Sequence, residues 1–382
     1  MRSICITLTS PFVLNAFLGG HIARLAASFR VVVCINRLES DIAISLPKGV
    51  VLRHIEIRRN ISPWRDMVAL WQLVQFYRRG KFDMVWSITP KAGLLAMIAA
   101  RIAGVHARVH FFTGQVWATR RGTARLLLKS LDRLLASYAS DLLADSPSQR
   151  DFLVREGVVA ERRITVIGDG SVSGVDLNRF KPDPAARQAI REIHGIPAGD
   201  VCLLYVGRMK REKGVHDLLA AFAELQQDYP QLHLLLVGPD EERIVNNAPS
   251  ARTHCVGYTL EVESYMAAGD IICLPSYREG FGTVLIEGAA AGLAAVASRI
   301  YGIEDAVVDG HTGLLHPPGD AAGIRAVIGR LLDDPAMRHQ LAANARQRAV
   351  RLFAAERVEQ LFADWIMARM AKAPPSAERP EA

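Results

Sequence analysis

The stretch from Ile271 to Gly292 constrains the fold more than any other part of this 382-residue chain. It begins with a short apolar run, Ile271 to Leu274, whose length is typical of a buried parallel strand. Pro275 and two glycines then interrupt the run, which predicts a turn, and a helix is expected from about Thr283. A strand, a glycine turn and a helix in this order form the repeating unit of a doubly wound α/β fold.

The turn between this strand and helix has the chemistry of an anion site. The backbone amides of Phe281, Gly282 and Thr283 would lie at the N-terminal end of the helix, where unpaired N–H groups and the helix dipole favour a phosphate. Gly280 and Gly282 would let a ligand approach the backbone closely. The sequence therefore makes this turn a candidate phosphate-binding site.

Two acids flank the turn. Glu279 precedes it and Glu287 lies one turn into the helix, so both carboxylates are expected at the same mouth. Because this structural unit is common and two glutamates at such a spacing arise by chance, an ordinary structural role stays open. A site that holds phosphate on backbone dipoles and sugar hydroxyls on carboxylates suits a nucleotide sugar.

An earlier loop has the cations that a diphosphate needs. Val201 to Val206 is predicted to be a strand, and Gly207 and Arg208 follow it, with Lys213 just before the next predicted helix. Two cations on one diphosphate would make charge-assisted contacts, which are stronger than neutral hydrogen bonds. Loops of this composition are also common on ordinary protein surfaces.

The N-terminal half repeats the strand and helix pattern. Gly19 and Gly20 end the loop after the first predicted strand. Ala107 to Phe112 is predicted to be a later strand, and the loop that begins at Thr113 is a candidate site, because ligands gather beyond the carboxyl ends of parallel strands. One helix between them has apolar residues at helical spacing, a pattern typical of core packing, namely Met67, Leu70, Trp71, Val74 and Tyr77.

The segment EGFGTVLIE, residues 279–287, resembles the E-x7-E signature of retaining GT-B glycosyltransferases of family 4. The resemblance covers nearly the whole chain and implies an α/β fold with two Rossmann-like, doubly wound domains that face each other across a cleft. It implies that Glu279 lies near the donor sugar and that Glu287 binds the nucleotide ribose. Arg208 and Lys213 match the diphosphate clamp of the family.

The resemblance extends to residues outside these two loops. Gly207 and Val256 complete the implied donor-binding set, the latter in a segment that contacts the nucleotide base in relatives. Gly19 and Gly20 correspond to glycines that approach the donor phosphates or the acceptor. Asp176 belongs to a Gly-Val-Asp element that lines the cleft in the family, although an ordinary loop with a helix cap also explains it.

One position departs from the family pattern. Many family 4 enzymes carry a His-Gly pair at the end of the strand before the N-terminal site loop, with the histidine near the donor sugar. Here Thr113 and Gly114 fall at that place, so Thr113 or Gln115 would make the polar contacts. His110 lies earlier, inside a predicted strand, where a structural role is expected more often than contact with a sugar.

A glycine- and serine-rich stretch after residue 167 is the best candidate for a domain boundary. We expect an N-terminal, acceptor-side domain over residues 1–178 and a C-terminal domain that binds the nucleotide sugar over residues 179–355. Residues 356–371 are expected to form a helix that packs back on the N-terminal domain. Residues 372–382 are expected to be a disordered tail.

Charge is unevenly distributed along the chain. Residues 1–180 contain 25 Lys+Arg and 13 Asp+Glu, a balance of +12, whereas the remainder contains 21 and 26, a balance of −5. An anionic membrane surface or a lipid diphosphate would suit the basic half, and without a nucleic-acid-binding motif no nucleic-acid partner is expected. Arg125, Lys129 and Arg133 form one stripe of a predicted helix, which is either a solvated face or a contact with lipid headgroups.

Cysteines and apolar runs indicate the compartment. The five cysteines lie in or beside apolar runs without metal-ligand spacing, as reduced core residues of a cytosolic protein do. The N-terminal apolar run is short and interrupted, so a first strand is expected there and not a signal peptide. The longest apolar run, Ala92 to Gly104, is too short to span a bilayer. We expect a cytoplasmic protein that associates peripherally with the inner face of the membrane.

The residues and the resemblance together predict an enzyme that transfers a sugar from a nucleotide sugar, expected to be UDP-linked. The segment from His110 to Gly122 resembles a CapM-like capsule and O-antigen subgroup, which implies a polyprenyl-diphosphate-linked saccharide as acceptor. Retention is implied by the family, and no metal or other cofactor is expected, because cations and helix amides can stabilise the leaving diphosphate. A GT-B sugar-nucleotide epimerase and a non-catalytic sugar-nucleotide-binding subunit are the open alternatives.

Overall fold

The protein forms two compact α/β units, each built around its own parallel sheet. Unit 1 comprises Met1–Ser173 and Glu356–Ala382, and unit 2 comprises Gly174–Ala355. The two Rossmann-like, doubly wound domains expected from the sequence are therefore present. The structure is a computed structural model, and the residues it describes are 1–36, 43–58, 60–247 and 250–372.

Unit 1 contains a seven-stranded sheet. Its strands are β1 (Ser3–Leu8), β2 (Arg30–Ile35), β3 (Val51–His54), β4 (Met84–Ser87), β5 (Ala107–Phe112), β6 (Asp141–Ala144) and β7 (Ile164–Val166). All neighbours are parallel, in the order β3-β2-β1-β4-β5-β6-β7. Strand β1 is buried along its whole length, because helices cover both faces of the sheet.

Helices connect these strands. They are α1 (Pro11–Val13), α2 (Gly19–Ala26), α3 (Pro63–Gly80), α4 (Pro90–Ile102), α5 (Gly122–Tyr138) and α6 (Pro147–Arg155). Proline opens α3, α4 and α6, where its fixed φ suits the first helical turn and its missing N–H is not needed. Helices α3, α4 and α5 pack side by side over one hydrophobic cluster of the sheet.

Unit 2 contains a six-stranded parallel sheet in the order β10-β9-β8-β11-β12-β13. Its strands are β8 (Cys202–Val206), β9 (His233–Val237), β10 (Thr253–Val256), β11 (Ile271–Leu274), β12 (Ala294–Ser298) and β13 (Gly313–His316).

The helices of unit 2 follow the strands in the same alternation. They are α7 (Pro184–Ile193), α8 (Val215–Asp228), α9 (Val262–Ala268), α10 (Thr283–Ala291), α11 (Ile303–Ala306), α12 (Ala321–Asp333) and α13 (Pro335–Leu352). Strand β11 and helix α10 have the bounds that the glycine turn predicted, because proline and glycine mark the ends of these elements in the sequence itself.

The last helix, α14 (Ala355–Lys372), belongs to unit 1. The ring of Phe362 lies 4.5 Å from Trp86 and 4.8 Å from His21, and Arg369 Nε donates to Asp141 Oδ2 at 2.8 Å. The helix predicted over residues 356–371 thus completes the core of unit 1. Residues 373–382 of the predicted tail lie outside the described residues.

The chain passes between the units at two points that are hydrogen-bonded to each other. Val175 N donates to Phe353 O at 2.7 Å, and Ala355 N donates to Val175 O at 2.9 Å. These bonds attach the chain from Gly174 onward to unit 2, so the contact boundary lies after Ser173 and not after residue 178 as expected.

Two further expectations concern cysteines and membrane spans. Four cysteines are buried as expected, but Cys255 is exposed on β10, which is an edge strand of the sheet. No helix within the described ranges has both the length and the apolar character that crossing a bilayer requires.

Candidate functional site

The strand order of unit 2 reverses between β8 and β11, which lie next to each other in the sheet. Loops that leave such neighbouring strands at their carboxyl ends open a crevice, and ligands of doubly wound folds bind there. The loop after β8 carries Arg208 and Lys213, and the loop after β11 carries Glu279 and leads into α10. Topology therefore places the two predicted ligand loops side by side.

The two loops touch through their main chains. Gly214 has a φ of +70°, and a Cβ at this position would lie 2.0 Å from the carbonyl oxygen of Pro275. Tyr277 N donates to Glu212 O at 3.0 Å, and Arg278 Nη2 donates to Glu212 Oε2 at 3.0 Å. Only glycine permits this approach, because any side chain would meet the carbonyl group.

Lys213 and Glu279 form an ion pair across the loop junction. Lys213 Nζ lies 2.6 Å from Glu279 Oε1, and the two side chains are 20% and 15% exposed. Partial burial reduces solvent screening, so the pair holds both side chains more firmly than a surface pair would. These are two of the three residues predicted to be catalytic.

Arg208, the third of these, is more exposed and has a different partner. Its Nη1 atom lies 3.6 Å from Glu241 Oε1, and Lys210 forms an ion pair with the same carboxylate. The hydroxyl of the buried Tyr205 donates to the carbonyl oxygen of Arg208 at 2.9 Å, which fixes the start of the loop. Gly207 N donates to Val237 O at 2.9 Å, so the chain continues beside β9 for one further residue.

Sequence reasoning missed Glu241. It follows β9, the neighbour of β8, and so reaches the same carboxyl edge as the cations. The order of strands in a sheet cannot be read from the sequence. The proximity of Glu241 to the cations therefore follows only from the topology. Each of the two predicted cations, Arg208 and Lys213, has an acidic partner.

Helix α10 presents its N-terminal amides at the junction. Gly282 precedes the helix with a φ of +82°, and as a glycine it has no side chain to cap the first turn. Phe281 is buried, and its ring packs 5.1 Å from Phe353. The predicted amide donors, Phe281 to Thr283, thus lie at the start of α10, where the helix dipole favours an anion.

Glu287 lies one turn into α10. Burial raises the pKa of its carboxyl group to about 7; the charge of Arg179 opposes this shift, and that of Glu263 adds to it. Arg179 Nη2 itself binds Glu263 Oε2 at 2.5 Å. Among the described residues Glu287 has no hydrogen-bond or ion-pair partner, so its oxygens are available to a ligand.

Two other predicted contacts lie on loops of unit 2. The carbonyl oxygen of Val256, at the end of β10, accepts from Gly238 N at 2.9 Å, which joins the base-contact segment to the loop after β9. Asp176 Oδ1 accepts from Asn178 N at 2.9 Å and from Arg179 N at 3.3 Å. Asp176 therefore caps its own turn, as the ordinary-loop explanation requires.

In unit 1 the two predicted site glycines, Gly19 and Gly20, differ in how much space surrounds them. A Cβ on Gly20 would lie 1.7 Å from Glu359 Oε1, whereas one on Gly19 would meet nothing within 4 Å. The carboxylate of Glu359, on α14, thus lies against the first turn of α2. A side chain at position 20 would displace only the flexible end of Glu359, and the surface above Gly19 is open.

His110 lies inside the sheet of unit 1. It is 1% exposed, and its Nδ1 atom lies 2.9 Å from Ser87 Oγ. Burial lowers the pKa of its imidazole to about 3, so the ring is neutral at pH 7. A contact with a sugar would require His110 to leave this buried position, which favours the structural role.

The loop after β5 is held by two amide side chains. Gln115 Nε2 and Gln149 Nε2 each donate to Thr113 O at 2.6 Å, and both glutamines are buried. Gln115 therefore has a structural contact of its own, while the partly buried Thr113 lies at the predicted position after the strand.

The basic stripe of α5 makes contacts within unit 1. Arg125 Nη2 and Lys129 Nζ bind Glu156 Oε2 at 2.7 and 2.6 Å, and Arg133 Nε donates to Gly157 O at 2.9 Å. The stripe faces the segment that follows α6, because a carboxylate and free carbonyl groups are available there. Arg125 and Lys129 are thus partly buried in ion pairs, whereas Arg133 stays exposed, and contact of the stripe with lipid headgroups stays a prediction.

Within the described parts of the chain, no group of three or more His, Cys, Asp or Glu side chains is arranged to hold a metal ion.

Two family models match the chain, one in each unit. The model described as "Glycosyl transferase 4-like domain" matches residues 15–170, and "Glycosyl transferases group 1" matches residues 186–348. D-inositol 3-phosphate glycosyltransferase 2 of Catenulispora acidiphila is 34% identical over an alignment of 355 residues that covers 81% of this chain and 78% of that protein. The chain belongs to the family 4 glycosyltransferases.

Other relatives of this glycosyltransferase are named for roles in glycan assembly. The capsular polysaccharide biosynthesis glycosyltransferase CapM of Staphylococcus aureus is 26% identical over 309 residues, 79% of this chain and 81% of that protein. The UDP-Gal:alpha-D-GlcNAc-diphosphoundecaprenol alpha-1,3-galactosyltransferase of Escherichia coli is 25% identical over 325 residues, with 81% and 82% covered. The protein is thus a glycosyltransferase of polysaccharide or glycan biosynthesis.

Solved structures share the fold of this glycosyltransferase. Sucrose-phosphate synthase from Thermosynechococcus elongatus aligns with a TM-score of 0.82 at 22% identity, over 98% of this chain and 100% of that one. Anabaena Alr3699/HepE, in complex with UDP and glucose, aligns with a TM-score of 0.77 at 20% identity, over 96% and 100%. The expected GT-B fold is confirmed.

The contact between Gly214 and Pro275 predicts a position-specific stability loss. Gly195→Ala is the matched control, because Gly195 has a φ of +62° but a Cβ there meets nothing within 4 Å. We expect Gly195→Ala to lower the free energy of unfolding by about 1 kcal/mol through backbone strain alone. Gly214→Ala should cost at least about 2 kcal/mol more, because the loops must separate. Urea unfolding measures both, and equal losses would contradict the contact.

Proposed function

We propose that this glycosyltransferase transfers a sugar from a UDP-linked nucleotide sugar to a polyprenyl-diphosphate-linked saccharide, with retention and without a protein-bound metal. The observation that carries the proposal is the junction in unit 2, where Lys213 and Glu279 meet next to the N-terminus of α10. Cations, amides and a carboxylate at one crevice match the diphosphate and the sugar of such a donor.

The junction suits the charge that develops in the reaction. Breaking the bond between the anomeric carbon and the diphosphate oxygen leaves negative charge on the diphosphate and oxocarbenium character on the sugar. Arg208, Lys213 and the first amides of α10 would stabilise the leaving diphosphate, in fixed positions that need no reorganisation. Glu279 would lie near the sugar, where it positions the donor or supports the positive charge. These groups replace the charge that a metal supplies elsewhere.

Two findings support UDP as the nucleotide. Anabaena HepE, a structural neighbour, has been crystallised with UDP and glucose, and the Escherichia coli relative carries UDP-Gal in its name. The unpartnered carboxylate of Glu287 would accept hydrogen bonds from the ribose hydroxyls, and Val256 would contact the base. The identity of the transferred sugar depends on the contacts that its hydroxyl groups make in the complex of enzyme and donor.

A lipid-linked acceptor is supported by one relative and by charge. The name of the Escherichia coli relative includes a diphosphoundecaprenol-linked sugar. Residues 1–180 have a balance of +12, which would attract an anionic membrane surface at the cytoplasmic face. The 34% identical relative is named for inositol phosphate, so an acceptor panel must include a small phosphorylated polyol.

Retention would follow from attack on the face that the diphosphate leaves. The acceptor oxygen forms the new bond to the anomeric carbon, and a phosphate oxygen of the departing diphosphate takes its proton. We assign no nucleophilic carboxylate, because Glu279 is held by Lys213 and the remaining candidate, Glu287, lies within α10.

Release of UDP tests the proposal. The donors to compare are UDP-, GDP- and dTDP-sugars. Each donor is incubated with a polyprenyl-diphosphate saccharide, with D-inositol 3-phosphate or with water alone, and the release of nucleotide is measured. We expect UDP release that depends on the polyprenyl acceptor. Lys213→Ala should lower kcat/KM by about 100-fold or more, because it removes one donor to the developing anion. Lys181→Ala, an exposed lysine of the same unit, should leave it unchanged.

Other outcomes identify the alternatives. Conversion of the nucleotide sugar to another sugar nucleotide without acceptor would identify an epimerase. Binding without turnover would identify a non-catalytic subunit. Release that depends on D-inositol 3-phosphate would replace the lipid acceptor with a polyol, while the donor site would stand.

The raised pKa of Glu287 predicts a pH dependence of donor binding. Its folded pKa of about 7 lies above the usual value of 4.5, so the ionised form that accepts from ribose is lost as pH falls through 7. Affinity for UDP-glucose, whose phosphates do not titrate in this range, should fall about 3- to 10-fold from pH 8 to pH 6. Glu287→Gln should remove the dependence, and Glu224→Gln should keep it. A flat wild-type profile would contradict this role.

A substitution of Glu241 should strengthen donor binding. Glu241 competes with the donor for Arg208 and Lys210, so Glu241→Gln should raise the affinity for UDP about 2- to 5-fold, the amount that a half-exposed ion pair accounts for. Calorimetric titration at low and high salt measures the change, which should shrink with salt. Weaker binding in the variant would show that Glu241 organises the loop and does not compete.

A further inference from the structure

Helix α3 is apolar on two opposite faces. Its inner face, which includes Ala69, Leu73 and Tyr77, is buried against the sheet of unit 1. On the outer face four large apolar side chains at positions 64, 67, 68 and 71 share one helical stripe. Their exposed fractions are 72% for Trp64, 58% for Met67, 41% for Val68 and 64% for Trp71.

This outer stripe corrects the interpretation of α3 as simple core packing. Leu70, Val74 and Tyr77 pack inward as predicted, whereas Met67 and Trp71 of the same predicted stripe point outward. Ile61, which precedes the helix, is 68% exposed and extends the stripe. We name the five residues Ile61, Trp64, Met67, Val68 and Trp71 the α3 face.

Helix α5 carries a second, smaller set of exposed apolar residues. Leu126 and Leu127 are 65% and 59% exposed, while Arg125 and Lys129 turn to Glu156. Each helix leads from the carboxyl end of one strand back to the start of the next, so the N-terminal halves of α3 and α5 lie at the same edge of the sheet. Both pack on α4, on one face of that sheet.

The segment around the α3 face is basic. Residues 51–81 contain seven Lys+Arg and two Asp+Glu, a balance of +5. Arg78 and Arg79 are exposed at the end of the helix and have no carboxylate within ion-pair distance among the described residues. Cations around exposed tryptophans match the boundary between acyl chains and anionic headgroups, where tryptophan is enriched.

We propose that the α3 face inserts into the interfacial layer of an anionic lipid bilayer and holds unit 1 on the membrane. This deepens the proposed function, on which it rests, by assigning the membrane contact to an apolar helix face in place of the basic stripe of α5. A helix lying in the membrane plane can bury apolar residues on one side while its other side stays packed on the protein.

A lipid surface accounts for the composition of the α3 face. Large apolar residues exposed together cost solubility, and a monomer retains them where they bind something. The two tryptophans offer an apolar ring and an N–H group, which suits the layer between water and acyl chains. The arginines nearby supply the attraction to anionic headgroups that a contact between two copies of this basic segment would oppose.

Vesicle sedimentation with the full-length chain tests the proposal. Vesicles of phosphatidylglycerol and phosphatidylethanolamine are compared with phosphatidylcholine vesicles. We expect the wild type to favour the anionic vesicles, and Trp64→Ser/Trp71→Ser to weaken binding by about 10-fold or more. Ile193→Ser/Leu260→Ser is the matched control, because these side chains are 72% and 75% exposed in unit 2, and it should change binding less than about 2-fold.

Tryptophan fluorescence gives a second readout, and its wild-type signal does not depend on folding of the variant. Trp86 and Trp117 are buried, and Trp365 is partly buried. The fluorescence of solvent-exposed tryptophan therefore comes from Trp64 and Trp71. Lipids brominated near the headgroup should quench wild-type emission strongly and the double variant weakly. Equal binding and equal quenching in the two proteins would overturn the proposal.

Two further measurements separate the possible failures. If wild type self-associates through the α3 face, sizing will show a dimer that the double variant loses while vesicle binding is unchanged, and the lipid proposal fails. UDP release with a water-soluble, short-chain acceptor should stay within about 2-fold of wild type in the variant. Vesicle binding without any transferase activity would overturn the proposed function alone, and activity without vesicle binding would overturn this inference alone.

Discussion

The contact of the Gly214 main chain with Pro275 determines the geometry of the candidate site. Lys213 and Glu279 stand on two irregular loops, and such loops hold a geometry only when something fixes them. Here the fixing element is backbone against backbone, which leaves no rotamer to adjust. The cations on one loop and the amides after the other are consequently positioned before a ligand arrives, which is what electrostatic stabilisation of a leaving group requires.

Much of this arrangement could be predicted from the sequence, for a physical reason. The bounds of β11 and α10 depend on residues within them, since proline and glycine interrupt the apolar run locally. Partners that come from distant parts of the chain could not be predicted in this way. Glu241 reaches Arg208 only through the order of strands, and Glu359 covers Gly20 only after α14 joins unit 1.

Helical periodicity and net charge each allowed two interpretations, and the contacts in the structure distinguish them. The period of α3 predicts an amphipathic helix, but apolar residues on both faces hide which of them is the core, and Trp71 lies on the outer face. The charge of the N-terminal half was taken to indicate a basic surface. Arg125 and Lys129 instead share the single carboxylate of Glu156 at short range, so a charge balance alone does not identify which cations face solvent.

The position of α14 has a consequence for the biosynthesis of the chain. The ribosome makes β1 to β7 first, yet Trp86 and His21 lack their partner Phe362 until nearly the whole chain has been translated. Unit 2, a continuous segment synthesised later, is the first for which every element is present. During most of translation the N-terminal sheet therefore carries an incompletely covered apolar surface, and this nascent state is the stage at which a chaperone has most to protect.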